Sequence, residues 1–312
     1  MLSELLRDIA SDGYPTDYLL ARVRARRAAL TADWGAIRAR GLPADVTDDV
    51  IWERFLRELG WLRSQVSRRL RASVDPLFGL FELKTVVLCL RNKAVQRNAE
   101  IERLLAASQV SDAVCRVLMQ ESEVPAAVAS IAVALEPADD DARSLQRSYA
   151  EAGLKGFETR LTRDYLGCMN SARLHPPVRE FFASFVDLRN LMTLYKQLRW
   201  EVVDAEAFLP GGTIAVPRLQ RIGAARDTDG LDRLVREIVG RAAPPLATAE
   251  GSLETILLGS LSSRIRSLSR EEDPVGTVVD YAWRVYIHAR NQSLLLHAGH
   301  FDPAGLEQEL VA

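Results

Sequence analysis

Four histidines, His175, His288, His297 and His300, are the groups best suited to move a proton or hold a metal in this chain of 312 residues. Imidazole titrates near neutral pH and is the commonest metal-ligating side chain. His297 and His300 stand three residues apart, which puts them on one helical face, but no HExxH pattern surrounds them and no cysteine joins them. His297 fits better as a group near a helix C-terminus, facing the negative end of the helix dipole. Gly211-Gly212-Thr213 is too short for a phosphate cradle and no lysine follows it, so it reads as a turn. Asp139-Asp140-Asp141 lacks the alternating oxygen ligands and glycine turn of a calcium loop and reads as a hydrated stretch. Cys89, Cys115 and Cys168 are scattered, odd in number and without a CxxC pair, which indicates neither a zinc knuckle nor a disulfide framework. That usage fits a reducing, cytoplasmic setting. With no G-x-S-x-G elbow either, the expectation is a protein with no catalytic, cofactor-binding or metal-ligating residue, hence not an enzyme.

Arginines are the other candidates. Arg22, Arg26 and Arg27 fall along one side of a helix, and Arg68, Arg69 and Arg71 form a second group. Phosphate binding needs several such cations to converge, and no aromatic interleaving supports a single-strand platform. Net charge is −2 overall, and residues 1–100 carry +4, a mild asymmetry. The expectation is that these arginines face protein or solvent, with no nucleic-acid partner.

The elements that would position any site are helices, and three of them repeat. "FELKTVVLCLR" (Phe81–Arg91), "FVDLRNLMTLYKQLR" (Phe185–Arg199) and "YIHARNQSLLLH" (Tyr286–His297) align so that Lys84, Arg189 and Arg290 share a register. Thr85, Asn190 and Asn291 follow. Glu82, Asp187 and His288 precede by two, and Arg91, Lys196 and His297 come seven later. A second marker, Glu53, Glu158 and Glu254, is followed three residues on by Leu56, Leu161 or Leu257. Two aligned features in three copies at a nearly constant period point to triplication. Leu83, Val86, Val87 and Leu90 form an apolar stripe in the first copy, as do Leu188, Leu191, Met192 and Tyr195 in the second. In the third, Ala289, Gln292, Ser293 and Leu296 are more polar, as in a terminal repeat.

Further helices are expected over Asp17–Leu30, Val50–Leu70, Asn98–Met119, Ser144–Met169, Leu219–Ala225, Leu231–Val239 and Leu253–Leu268. "GGTIAVPR" offers one short strand candidate, interrupted by Pro217. Breakers fall at Gly41-Leu42-Pro43, Pro137, His175-Pro176-Pro177, Pro210-Gly211-Gly212, Pro244-Pro245 and Asp273-Pro274. No breaker marks residue 100, so helix is expected to run through it. The N-terminus carries Glu4 and Asp8 without a long apolar core, unlike a signal peptide. The apolar stretch Val124–Leu135 is far shorter than the ~20 residues of a bilayer span. A soluble chain is the expectation.

These motifs, with "DYLLARVRARRAAL" (Asp17–Leu30) and "LPGGTIAVPRLQRI" (Leu209–Ile222), resemble the C-type subunit of the V-type rotary ATPases, called the d-type subunit in the eukaryotic enzymes. The resemblance covers nearly the whole chain and rests on the order and spacing of the motifs. Thr85 departs from the usual Asn, and His288 from an acid. It implies an all-α fold of three pseudo-repeated helical lobes, residues 1–102, 103–207 and 208–312, arranged as a funnel around a pseudo-threefold axis. It also implies a non-catalytic rotor subunit without cofactors, one copy per complex. That subunit would link the central-shaft subunits to the proteolipid ring and transmit torque for ATP-linked proton or sodium transport. It would lie peripherally at the cytoplasmic face of the membrane, touching the bilayer only through the ring complex. The echoed helices could line the funnel or form the core of each lobe. A helical-repeat adaptor of an unrelated complex and a phosphate- or nucleic-acid-binding helical protein are the competing readings.

Overall fold

A computed structural model describes residues 2–30, 34–135, 139–240, 252–269, 273–298 and 303–311. Helices α1 (Leu2–Leu5), α2 (Thr16–Ala29), α3 (Trp34–Arg40), α4 (Asp48–Gln65) and α5 (Arg68–Ala94) are followed by α6 (Asn98–Ala107), α7 (Asp112–Gln120), α8 (Val124–Leu135) and α9 (Asp139–Ser171). Then come α10 (Pro176–Trp200), α11 (Val216–Ala224), α12 (Thr228–Val239), α13 (Leu253–Leu268), α14 (Pro274–Leu296) and α15 (Pro303–Glu309). The fold is all-α. Among the described residues there is no strand, and the only extended pairing is one antiparallel bridge, Leu6 to Val110. "GGTIAVPR" is accordingly not a strand but the bend that leads into α11.

The chain divides into two compact units. One comprises residues 1–25 and 47–169, the other 26–46 and 170–312. In the first, Trp52 and Phe55 of α4 pack with ring centroids 4.4 Å apart, and Phe81 of α5 meets Phe55 edge-on at 5.1 Å. Leu56, Leu59 and Leu62 of α4 and Val86 and Leu90 of α5 are buried with them. Each such side chain stabilises the fold by about 1.5–3 kcal/mol. In the second unit Phe181 of α10 and Trp283 of α14 meet at 5.6 Å, and Trp283 donates its indole N–H to Ser262 Oγ of α13 at 2.9 Å.

Helix starts follow capping chemistry. Thr47, Ser67, Ser252 and Asp273 each accept a backbone N–H from the first turn of α4, α5, α13 and α14. Pro76 sits inside α5, where a proline has no N–H to give. Its own carbonyl accepts from the buried Tyr165 hydroxyl at 2.6 Å.

Several expected helices are divided. Val50–Leu70 breaks at Val66-Ser67, where Ser67 caps a new helix. Asn98–Met119 breaks at Ser108–Ser111, and the run to Met169 contains non-helical backbone at Ala152-Gly153, with Gly153 at φ +62°. Helix does run through residue 100, as α6, but it is not continuous with α5. Helix α5 ends at Ala94 with Gln96 in the left-handed region (φ +57°), and α6 begins afresh at Asn98. The breakers Pro137 and Pro244-Pro245, the ligand candidate His300, and the side chains of Asp139, Asp140 and Asp141 lie outside the described residues.

Candidate functional site

The echoed segments are α5, α10 and α14, and their shared register becomes shared hydrogen bonding. Asp187 on α10 is 1% exposed. Its two oxygens accept the backbone N–H groups of Thr213 and Ile214, each at 3.0 Å, and the Thr213 hydroxyl as well. One helical turn on, Asn190 grips Leu209 with both amide atoms. Nδ2 donates to the Leu209 carbonyl and Oδ1 accepts its N–H, both at 2.8 Å. The pair binds the Leu209–Ile214 loop down against the helix. Gly212 is required there, because a Cβ would lie 2.2 Å from Asp187 Oδ1.

The third copy repeats half of this device. Asn291 donates to the Val311 carbonyl at 2.7 Å and accepts its N–H at 3.2 Å. The acid position is His288, whose ring lies 4.9 Å from Trp34 of α3. Burial pushes its pKa down, while the Leu30 backbone pulls the other way. Arg290 reaches Glu254, the third marker acid, at 3.9 Å and donates to the Glu309 carbonyl at 3.0 Å.

The first copy varies it again. Glu82 is 1% exposed and accepts the Gln109 N–H at 2.6 Å. Thr85, in the Asn register, accepts the Trp52 indole N–H at 3.2 Å, and the Lys84 ammonium lies 4.0 Å from the centroid of that same ring. Arg91 pairs with Glu158 at 2.6 Å. The marker leucines Leu56, Leu161 and Leu257 are all buried.

Helix ends are matched too. Gln96 and Glu201 are both left-handed, at φ +57° and +53°, a conformation uncommon for residues other than glycine. The next N–H closes the cap in each case, Arg97 to the Asn92 carbonyl at 2.9 Å and Val202 to the Gln197 carbonyl at 3.1 Å. Just before these caps Val95 and Trp200 stand 62% and 64% exposed at equivalent register positions, with Val202 and Val203 exposed beside Trp200.

Arginines serve the fold. Arg71 is buried and donates to the carbonyls of Ile9, Ser11 and Val66. Arg63 pairs with Asp75 at 2.7 Å and donates to the Arg7 carbonyl at 2.8 Å. Arg22 lies within 6 Å of the Tyr14, Tyr18 and Trp61 ring centroids, and Arg27 binds the buried Asp280 at 3.1 Å, which Arg284 also contacts.

Among the described residues no group of three or more His, Cys, Asp or Glu side chains is placed to hold a metal. Burial pushes the Cys89 thiol far up and Cys115 to about 11, so neither is a ready nucleophile. His297 is the C-cap residue of α14, as its sequence position suggested. Gly211-Gly212-Thr213 forms the bend that Asp187 grips. Sequence reasoning singled out the register positions but missed their partners: Gln109, Leu209, Thr213 and Val311 lie 19 to 27 residues downstream in segments without periodicity. It also missed Trp52, Asp280 and the exposed Trp200. The site is a set of polar clamps by which α5, α10 and α14 each hold a segment 19 to 27 residues further along the chain. No described helix is long and apolar enough to cross a membrane. A family model described as ATP synthase (C/AC39) subunit matches residues 31–291. No curated protein matches the chain.

Proposed function

The chain belongs to the ATP synthase (C/AC39) subunit family, that of the C-type and d-type subunits of V-type ATPases, and from that premise we propose that it is a rotor subunit with no reaction of its own. It joins the soluble central shaft to the proteolipid ring and carries torque between them during ATP-linked proton or sodium transport. One copy serves each complex, at the cytoplasmic face of the membrane and in contact with the bilayer only through the ring. Its three helical lobes, residues 1–102, 103–207 and 208–312, surround a pseudo-threefold axis as a funnel that seats the shaft. The echoed helices α5, α10 and α14 line that funnel.

The observation that carries this reading is the family match over residues 31–291. The clamps give it a physical basis. A coupling element must resist shear, and buried hydrogen bonds such as Asn190 to Leu209 and Asn291 to Val311 hold each loop at a fixed position on its helix. Side-chain networks of this kind are satisfied only in one geometry, which favours stiffness over adaptability.

Affinity purification of the tagged chain from its native cell tests the reading. Shaft and proteolipid-ring subunits should come with it, and membranes from a deletion strain should lose ATP-driven ion pumping. Recovery of the chain without any rotary ATPase subunit, with pumping intact in the deletion strain, would overturn it. Cysteine pairs placed on α5, α10 and α14 test the lining separately: cross-links between these helices are expected, and their absence at every tested pair removes them from the funnel wall.

A further inference from the structure

We propose that the Glu82 carboxyl is a proton-controlled latch: neutral, it holds Ser108–Ser111 and the N-terminal segment paired with it; ionised, it lets both open. Glu82 is almost fully buried on α5. Oε1 accepts the Gln109 N–H at 2.6 Å, but Oε2 is buried with no hydrogen-bond partner. Asp187 at the same register of α10 engages three donors with its two oxygens. The first-copy acid is therefore the one whose charge is left half-unsolvated, and an ionised carboxylate in that position must draw in water or open the contact.

What it would open is a closed circuit. Gln109 accepts the Arg7 N–H at 2.9 Å, Ser111 donates its N–H to Leu5 at 2.8 Å and its hydroxyl to Glu4. Arg7 in turn gives its carbonyl to Arg63, which pairs with Asp75 on α5. Glu82 thus grips one end of a loop of contacts that Arg63 grips at the other. The charges around Glu82 are few. Arg7 from the N-terminal segment and Arg63 from α4 favour its ionised form, and Arg63 is already engaged by Asp75. Cys89 on α5 and Cys115 on α7 are the neighbouring thiols, Glu4 on α1 is exposed, and α8 carries no titratable side chain. Desolvation dominates over the Gln109 and Thr85 hydrogen bonds and raises the carboxyl to about 7.

Hydrogen exchange on the full chain reads the latch directly. After correction for intrinsic exchange, protection of the Arg7, Gln109 and Ser111 amides should fall about tenfold between pH 6 and pH 8, the linkage expected for a group near 7 in the closed form and near 4.5 in the open form. The Leu209 and Val311 amides, held by Asn190 and Asn291, should stay level. In Glu82→Gln, a neutral side chain of the same shape, protection should be flat across that range. Flat protection in the unaltered chain, or an equal fall in Glu82→Gln, overturns the proposal. A carbon-13 titration of the Glu82 carboxyl in the unaltered chain needs no variant: a midpoint near 7 supports the latch, and one in the ordinary carboxylate range overturns it.

Discussion

Two carboxylates in the same register do unequal work. Asp187 is short and meets three donors from one loop; Glu82 is one methylene longer, meets the Gln109 N–H and its own helix neighbour Thr85, and leaves an oxygen unpartnered. The helix and the register position are alike, so the difference lies in the segment each acid faces. A glycine-bearing bend can wrap an anion with consecutive N–H groups, as Gly212-Thr213-Ile214 does. The Ser108–Ser111 segment cannot, because its Ser111 N–H is already given to the Leu5 carbonyl and its Val110 N–H to the Ser108 hydroxyl oxygen.

The sharpest way to break this comparison is to delete both acids in turn. Asp187→Ala should destabilise by about 3 kcal/mol in chemical denaturation, because it takes the acceptor from three donors at once, the buried Ile214 N–H among them. Glu82→Ala should be markedly milder at pH 8, and equal losses would show that donor count is not what separates them. Next in size is a pH effect. Glu82 is raised from 4.5 to about 7. The fold therefore binds a proton that the unfolded chain releases, and stability falls as pH rises from about 4.5 through 7, by roughly 3 kcal/mol in all. Glu82→Gln should erase that slope, measured by denaturation at a series of pH values. Asn190→Ala and Asn291→Ala should each lose about 2 kcal/mol, and by the same amount, since both amides pair with a single residue's N–H and carbonyl. A difference above about 1 kcal/mol between them would mean that the second and third copies are less alike than their bonds suggest. Smallest is Trp200→Ser at the exposed helix end, expected to shift stability by less than about 0.5 kcal/mol.

How much of this was legible depended on whether a residue's partner was local. The stripe Leu83, Val86, Val87 and Leu90 announces α5 because helical period and burial coincide, and all four are buried. Leu253–Leu268 was readable to its ends, and the structure adds Ser252 as its cap. The acid, basic and Asn positions were visible as echoes, but their function was not: an acid on a helix face gives no hint that it will meet an N–H 27 residues on. Helix ends were hidden where they lack the usual punctuation. Gln96 and Glu201 adopt left-handed backbone without being glycine or asparagine, so composition predicts continuation. Conversely, the Thr and Val character of "GGTIAVPR" suggested a strand, and Asp187 overrode that propensity by taking the N–H groups a sheet would need.

Helix α2 has a consequence for how the molecule is made. Its residues up to Ala25 belong to one compact unit, and from Arg26 onward to the other. Arg27 finds Asp280 only after 253 further residues have been synthesised, whereas Arg22 meets Gln65 after 43. The helix is thus only half anchored until Asp280 has been made. During translation its leading half can settle early while its trailing half waits, and the second unit closes only once α14 has been made.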